Sequence, residues 1–135
     1  MKRVWSVIIV TALLLCGCGE QSSTISKNAK EAIYMQITAK QAKEMIDKQE
    51  QDLIVDVREQ AEYDKAHIPG AVLLLVGTIT EETAAEVIPN KESVVLVYCR
   101  SGNRSKTAAQ ALTDLGYTQI YEFGGIPDWP YEVEK

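Results

Sequence analysis

The sequence predicts an α/β domain built on a mostly parallel sheet, and three features carry that prediction. Short apolar runs at residues 34–37, 53–56, 71–74, 94–98 and 118–123 each have the length and composition of a buried strand. Segments with helical spacing of apolar residues lie between most of them. Gly and Pro punctuate the joints, at Pro69-Gly70, Gly116 and Gly124-Gly125. Strands that alternate with helices assemble as crossover units, which is why the sheet is expected to be parallel.

Each element has its own local reason. After the strand at 34–37, Thr38 caps a helix that runs to about Lys48, with Ala42, Met45 and Ile46 on its apolar side. The buried strand 53–56 leads to a short helix at 59–65, and Pro69-Gly70 turns the chain into the strand 71–74. The apolar run 72–76 is expected to form a wall of the functional cleft. Residues 80–88 read as a helix, whose acidic first turn at Glu81 and Glu82 complements the helix dipole. The strand 94–98 is followed by a loop and by a helix from about Ser105 to Leu115. That helix carries Ala108, Ala111, Leu112 and Leu115 on one face and ends at Gly116. The last strand, 118–123, runs into Gly124-Gly125-Ile126-Pro127-Asp128-Trp129-Pro130.

The N-terminus has a different character. Met1-Lys2-Arg3 precedes a mostly apolar stretch to Leu15, the pattern of a secretory signal. A membrane-spanning helix needs about 20 apolar residues, so a permanent span is the weaker reading. Leu15-Cys16-Gly17-Cys18 resembles the lipobox of bacterial lipoproteins. That resemblance implies cleavage after Gly17, acylation of Cys18, and a protein anchored at the extracytoplasmic face of a bacterial membrane. Residues 18–32, polar and without periodicity, would be a flexible tether, and residues 33–135 the domain.

This processing changes the cysteine count. Of Cys16, Cys18 and Cys99, only Cys99 would keep a free thiol, so neither an internal disulfide nor a dithiol redox cycle is possible. Loss of residues 1–17 would also move the formal charge from −5 to −7. An acidic chain of this kind argues against nucleic acid as a partner. Arginine is scarce: Arg58, Arg100 and Arg104 are all that remain beyond Arg3, and two of them flank one loop. Arginine recognises anions by forked hydrogen bonds, so the pair points to an anionic substrate.

That loop is Cys99-Arg100-Ser101-Gly102-Asn103-Arg104-Ser105. It lies between a strand's carboxyl end and a helix N-terminus, where parallel α/β sheets bind their ligands. Backbone N–H groups of such a loop converge on an anion, and with the neighbouring arginines they favour a thiolate. Asp56 and Gly124 also fall at strand ends, so three separate segments are expected to meet on one rim.

Four motifs in order now carry a specific resemblance. Asp56-Val57-Arg58, His67-Ile68-Pro69-Gly70-Ala71, the Cys99 loop, and Gly124-Gly125 with Trp129 resemble a single rhodanese-like domain over roughly residues 33–132. The resemblance implies a five-stranded parallel sheet flanked by helices, and a catalytic Cys99 that carries sulfur as a persulfide. It implies an anion cradle from Arg100, Ser101, Gly102, Asn103, Arg104 and Ser105, with Arg104 where the family places a residue favouring thiosulfate. Asp56, Arg58, His67, Gly124, Gly125 and Trp129 read as structural support. A small anionic sulfur donor and a thiol or protein acceptor are the implied partners, and no metal or organic cofactor is implied.

Two other chemistries compete with sulfur transfer by turnover. One is a sulfur carrier loaded and unloaded by a partner protein. The other is phosphatase or arsenate-reductase chemistry, which the loop disfavours. The Cys-x4-Arg spacing of Cys99 and Arg104 is one residue shorter than the phosphatase loop, and Tyr98 stands where many cysteine phosphatases have histidine.

Overall fold

The computed structural model describes residues 33–135. The signal, the lipidation site at Cys18 and the tether lie outside the described residues. Five strands form one sheet: β1 (Met35–Gln36), β2 (Leu53–Asp56), β3 (Ala71–Leu73), β4 (Val94–Cys99) and β5 (Gln119–Gly125). Four helices connect them: α1 (Ala39–Asp47), α2 (Gln60–Lys65), α3 (Glu81–Val87) and α4 (Asn103–Asp114). The strand order is β1-β5-β4-β2-β3, and every ladder is parallel. The expected α/β architecture is therefore the observed one.

The strands form where they do because both sheet faces are covered. Period-two alternation sends Val55, Val57, Val95, Val97 and Cys99 into one apolar cluster with Ala108, Ala109 and Leu112 of α4 and Ala84 of α3. The alternate residues Ile54, Leu96, Tyr98 and Phe123 enter the opposite cluster with Ala42 of α1 and Trp129. Burying a side chain such as Leu96 contributes about 1.5–3 kcal/mol. The helix starts are chemically specified. Thr38 and Thr80 each accept the backbone N–H three residues on, and the side chains of Gln41 and Thr83 return the bond.

Several boundaries differ from the sequence reading. β1 is shorter than the apolar run that suggested it, and β5 extends through Gly125. α4 begins at Asn103, two residues before Ser105, because Gly102 at φ +87° serves as its N-cap. Only glycine adopts that left-handed geometry without strain. The run 72–76 is a correction. β3 stops at Leu73, Val76–Thr78 forms a 3-10 turn, and Val72 and Val76 pack on the α3–α4 cluster instead of walling the cleft. The backbone of Leu74 and Val76 is held there by the carbonyls of Asp56 and Val57.

Candidate active site

β4 delivers Cys99 to the sheet's carboxyl edge with its side chain on the α4 side, fully buried. The Gly102 N–H donates to Cys99 Sγ at 3.0 Å. Ser105 Oγ stands 3.3 Å from the same sulfur. The thiol thus sits under the first turn of α4, where unpaired backbone donors and the helix dipole favour negative charge.

The loop is held from below by β5. In the sheet register Cys99 lies beside Gly125. A side chain at Gly125 would overlap the Arg100 carbonyl oxygen, so this position requires glycine for the two chains to approach. Ser101 and Asn103 are exposed, while Gly102 and Ser105 are buried.

The three arginines are used differently. Arg58 is buried and forks onto Asp56, with Nε 3.0 Å from both carboxylate oxygens and Nη2 2.7 Å from Oδ2. Its Nη2 also donates to the Ala66 carbonyl at 2.6 Å. Burial opposes the Arg58 charge, but the hydrogen bond and charge of Asp56 prevail and hold its pKa above the ordinary arginine value. Arg104 forks onto Glu62 of α2 instead, at 2.7 and 2.9 Å. The hydrogen bond from Arg104 brings Glu62 down to about 2 and raises Arg104 in turn. Arg100 is exposed and lines a cleft of ≈ 340 Å³ beside the loop, with Arg58, Glu62, Lys65, Ile126 and Pro127. Three cations and one carboxylate make this cleft suited to an anionic ligand.

Two participants, Glu62 and Glu122, were not singled out in the sequence, and Tyr98 was noted there only as a departure from the phosphatase pattern. Tyr98 donates from its Oη to Asp56 Oδ2 at 2.6 Å and accepts the Ile68 N–H at 3.0 Å. Burial, reinforced by the bond to Asp56, pushes the phenol well above its usual range. Glu62 is the partner of Arg104, and Glu122 is a buried carboxylate that accepts from Ser105 and Gly124. Period-two alternation along β5 could have placed Glu122 on the Cys99 face. No local pattern pairs Glu62 with Arg104.

The remaining predicted residues fall outside the immediate surroundings of the sulfur. His67 stacks on Tyr63 with ring centroids 3.8 Å apart, and its backbone bridges Glu134. Trp129 packs against Phe123 and donates from its indole to the Glu132 carbonyl at 3.0 Å. Among the described residues no group of His, Cys, Asp and Glu could hold a metal ion, and no helix is long and apolar enough to cross a membrane.

Known proteins share this fold. The family model described as "Rhodanese-like domain" matches residues 38–131. YrkF of Bacillus subtilis, whose name casts it as a sulfur carrier protein, is 35% identical over 117 residues. That match covers 86% of this chain and 59% of YrkF, so this chain spans little more than half of that relative. The thiosulfate sulfurtransferase GlpE of Coxiella burnetii is 35% identical over 98 residues, which are 72% of this chain and 88% of GlpE. Among solved structures, a rhodanese with anions from E. coli superimposes with a TM-score of 0.57 at 31% identity, covering 62% of this chain and 96% of its own. By the extent of the family match and by the fold that carries it, this chain belongs to the rhodanese-like domain family.

Proposed function

We propose that this protein is a sulfurtransferase in which Cys99 accepts sulfane sulfur from a small anionic donor and passes it on. The observation that carries the reading is the Gly102 N–H directed at the buried Cys99 sulfur beneath the start of α4. A thiolate there attacks the outer sulfur of a donor such as thiosulfate. The new sulfur–sulfur bond forms as the donor's own breaks, and sulfite leaves with the electron pair. The resulting Cys99 persulfide is an anion that backbone donors of the loop can hold. A thiophilic acceptor, cyanide in an assay or a thiol in the cell, then takes the terminal sulfur and restores the thiolate. Two half-reactions with a covalent intermediate give ping-pong kinetics. The name of GlpE supports thiosulfate as a donor worth testing.

One observation favours a second reading. Arg104, the loop arginine at the position where the family resemblance puts a residue favouring thiosulfate, is already engaged by Glu62. A sulfur carrier loaded by a partner protein does not need that arginine free, and the name of YrkF agrees with carriage. We further propose that Cys18 is lipidated and holds the domain at the outer face of a bacterial membrane, on the strength of the lipobox resemblance alone. Metabolic labelling with a fatty-acid analogue tests this, and loss of label in Cys18→Ser is the expected result.

The decisive assay is thiocyanate formation from thiosulfate and cyanide by the chain and its Cys99→Ser variant. Activity in the first and none in the second is expected for sulfur transfer through Cys99. Equal rates in both would remove Cys99 from the mechanism. Inactivity in both, with persulfide loading of Cys99 by a protein donor, would establish the carrier reading.

A further inference from the structure

Glu122 is an unusual residue for the middle of a parallel sheet. It is only 3% exposed, and among the described residues no Lys, Arg or His lies within ion-pair distance of it. A buried carboxylate without a cation carries a desolvation cost that no ion pair offsets. Alternation along β5 places it on the same face as Ile120, toward α4 and Cys99. An apolar side chain would be the ordinary occupant.

Its contacts lead to the nucleophile. Oε1 accepts from Ser105 Oγ at 2.6 Å and from the Gly124 N–H at 2.8 Å. Ser105 Oγ in turn lies 3.3 Å from Cys99 Sγ, 3.0 Å from the Gly102 carbonyl and 3.5 Å from the Gly124 carbonyl. A serine hydroxyl has one proton to donate. When it goes to Glu122, the shortest of these contacts, only the oxygen lone pairs face the sulfur, and they are satisfied by a protonated thiol. When Cys99 is a thiolate, the sulfur needs that hydroxyl proton, and Glu122 needs one of its own.

We propose that Glu122 is a positioning residue that receives the Cys99 proton through Ser105, so that the thiol and the carboxylate share one proton and one negative charge. The proposal rests on the reading of Cys99 as the nucleophile. The step balances: the S–H bond breaks as its proton joins Ser105 Oγ, and the proton that Ser105 held forms an O–H bond on Glu122 Oε1. Charge moves from carboxylate to sulfur, and no proton leaves the site. The chain's one histidine takes no part in this, since His67 is occupied with Tyr63 and Glu134. The other groups facing the pair are few. Cys99 comes from β4, Ser105 from α4 and the uncharged Gln36 from β1. Arg104 of α4 lies within the field of Cys99 but is committed to Glu62, and Asp128 follows β5 beside Gly124.

The test is the pH profile of Cys99 alkylation by iodoacetamide in the full chain with its other cysteines replaced by serine. It is compared in the parent, Glu122→Gln, Ser105→Ala and the double variant, with folding followed by thermal unfolding. Two groups that share a proton titrate as a pair, so the parent is expected to show two limbs. Glu122→Gln keeps the acceptor for Gly124 and Ser105 but takes no proton. It should lose the low-pH limb, with reactivity there falling about tenfold or more. Ser105→Ala should lose the same limb, and the double variant should lose nothing further. A single limb in the parent, or two limbs surviving in Glu122→Gln, overturns the proposal. Two limbs surviving in Ser105→Ala but not in Glu122→Gln overturns the route through Ser105. Should Glu122→Gln fail to fold, Ser105→Ala alone decides. Alkylation does not require a sulfur donor. A missing low-pH limb in an active sulfurtransferase therefore counts against Glu122 only, and a chain with both limbs but no transfer counts against the proposed function only.

Discussion

Arg104 and Glu62, forty-two positions apart, meet in a two-pronged ion pair with N–O distances of 2.7 and 2.9 Å. The pair joins the first turn of α4 to α2 and occupies the guanidinium of the second loop arginine. It also returns to its own helix, since Glu62 Oε2 accepts the Glu59 N–H at 3.1 Å.

Releasing Arg104 should improve the capture of small anions. Glu62→Gln removes the competing charge while keeping an acceptor for the helix start. The KM for thiosulfate is expected to fall about three- to tenfold, the scale of a gained charge-assisted hydrogen bond, with kcat little changed. Steady-state kinetics at fixed cyanide checks this. An unchanged KM would show that Arg104 has no part in binding the donor.

The same pair predicts an acid limb in stability. Glu62 sits at about 2 in the folded chain against an ordinary 4.5. Because the folded value is depressed, the contribution is fully present above about 4.5 and disappears as pH falls through about 2. The pair is about a quarter exposed, so solvent screening limits it to about 1 kcal/mol. Urea unfolding of the parent and Glu62→Gln should differ by that amount near neutrality and converge near the lower limit.

Tyr98→Phe tests the buried network beneath the rim. The substitution keeps the ring against Phe123 and removes the hydroxyl that serves Asp56 and Ile68 together. Leaving the Ile68 N–H unpaired and one Asp56 bond unmade should cost about 1–3 kcal/mol. Asp56→Ala, which strands the buried Arg58 charge, should cost about 3–5 kcal/mol. Thermal or urea unfolding ranks the two, and the reverse order would refute the network as drawn.

Gly125→Ala should separate the loop from the sheet that supports it. The new methyl overlaps the Arg100 carbonyl, which is backbone and has no rotamer to swing away, so the loop must shift. Displacing a reacting atom by about 1 Å costs on the order of 100-fold in rate. Thiocyanate formation should fall on that scale while far-ultraviolet circular dichroism stays that of a folded α/β protein. Retained activity would mean that the loop tolerates the displacement.

Local chemistry explains how much could be read from the sequence. A strand such as 94–98 announces itself because both of its faces are apolar. The helices after Thr38 and Thr80 announce themselves because their capping partners lie three residues away. The start of α4 was misplaced because a left-handed glycine can cap a helix without any side-chain signal. The run 72–76 was misassigned for a related reason, since an apolar stretch says that it is buried but not against which layer.

By itself, then, the sequence determined the α/β class, the order of the elements, and the placing of Cys99 between a buried strand and a helix. Each of these follows from interactions spanning a few residues. Only the tertiary structure decided the partners that lie far apart along the chain. Asp56 holds Arg58 two positions away, whereas Glu62 reaches Arg104, and Glu122 reaches Ser105 across seventeen positions. Those pairings depend on strand register and on how helices seat on the sheet, because side chains form ion pairs and hydrogen bonds by distance in space and not along the chain.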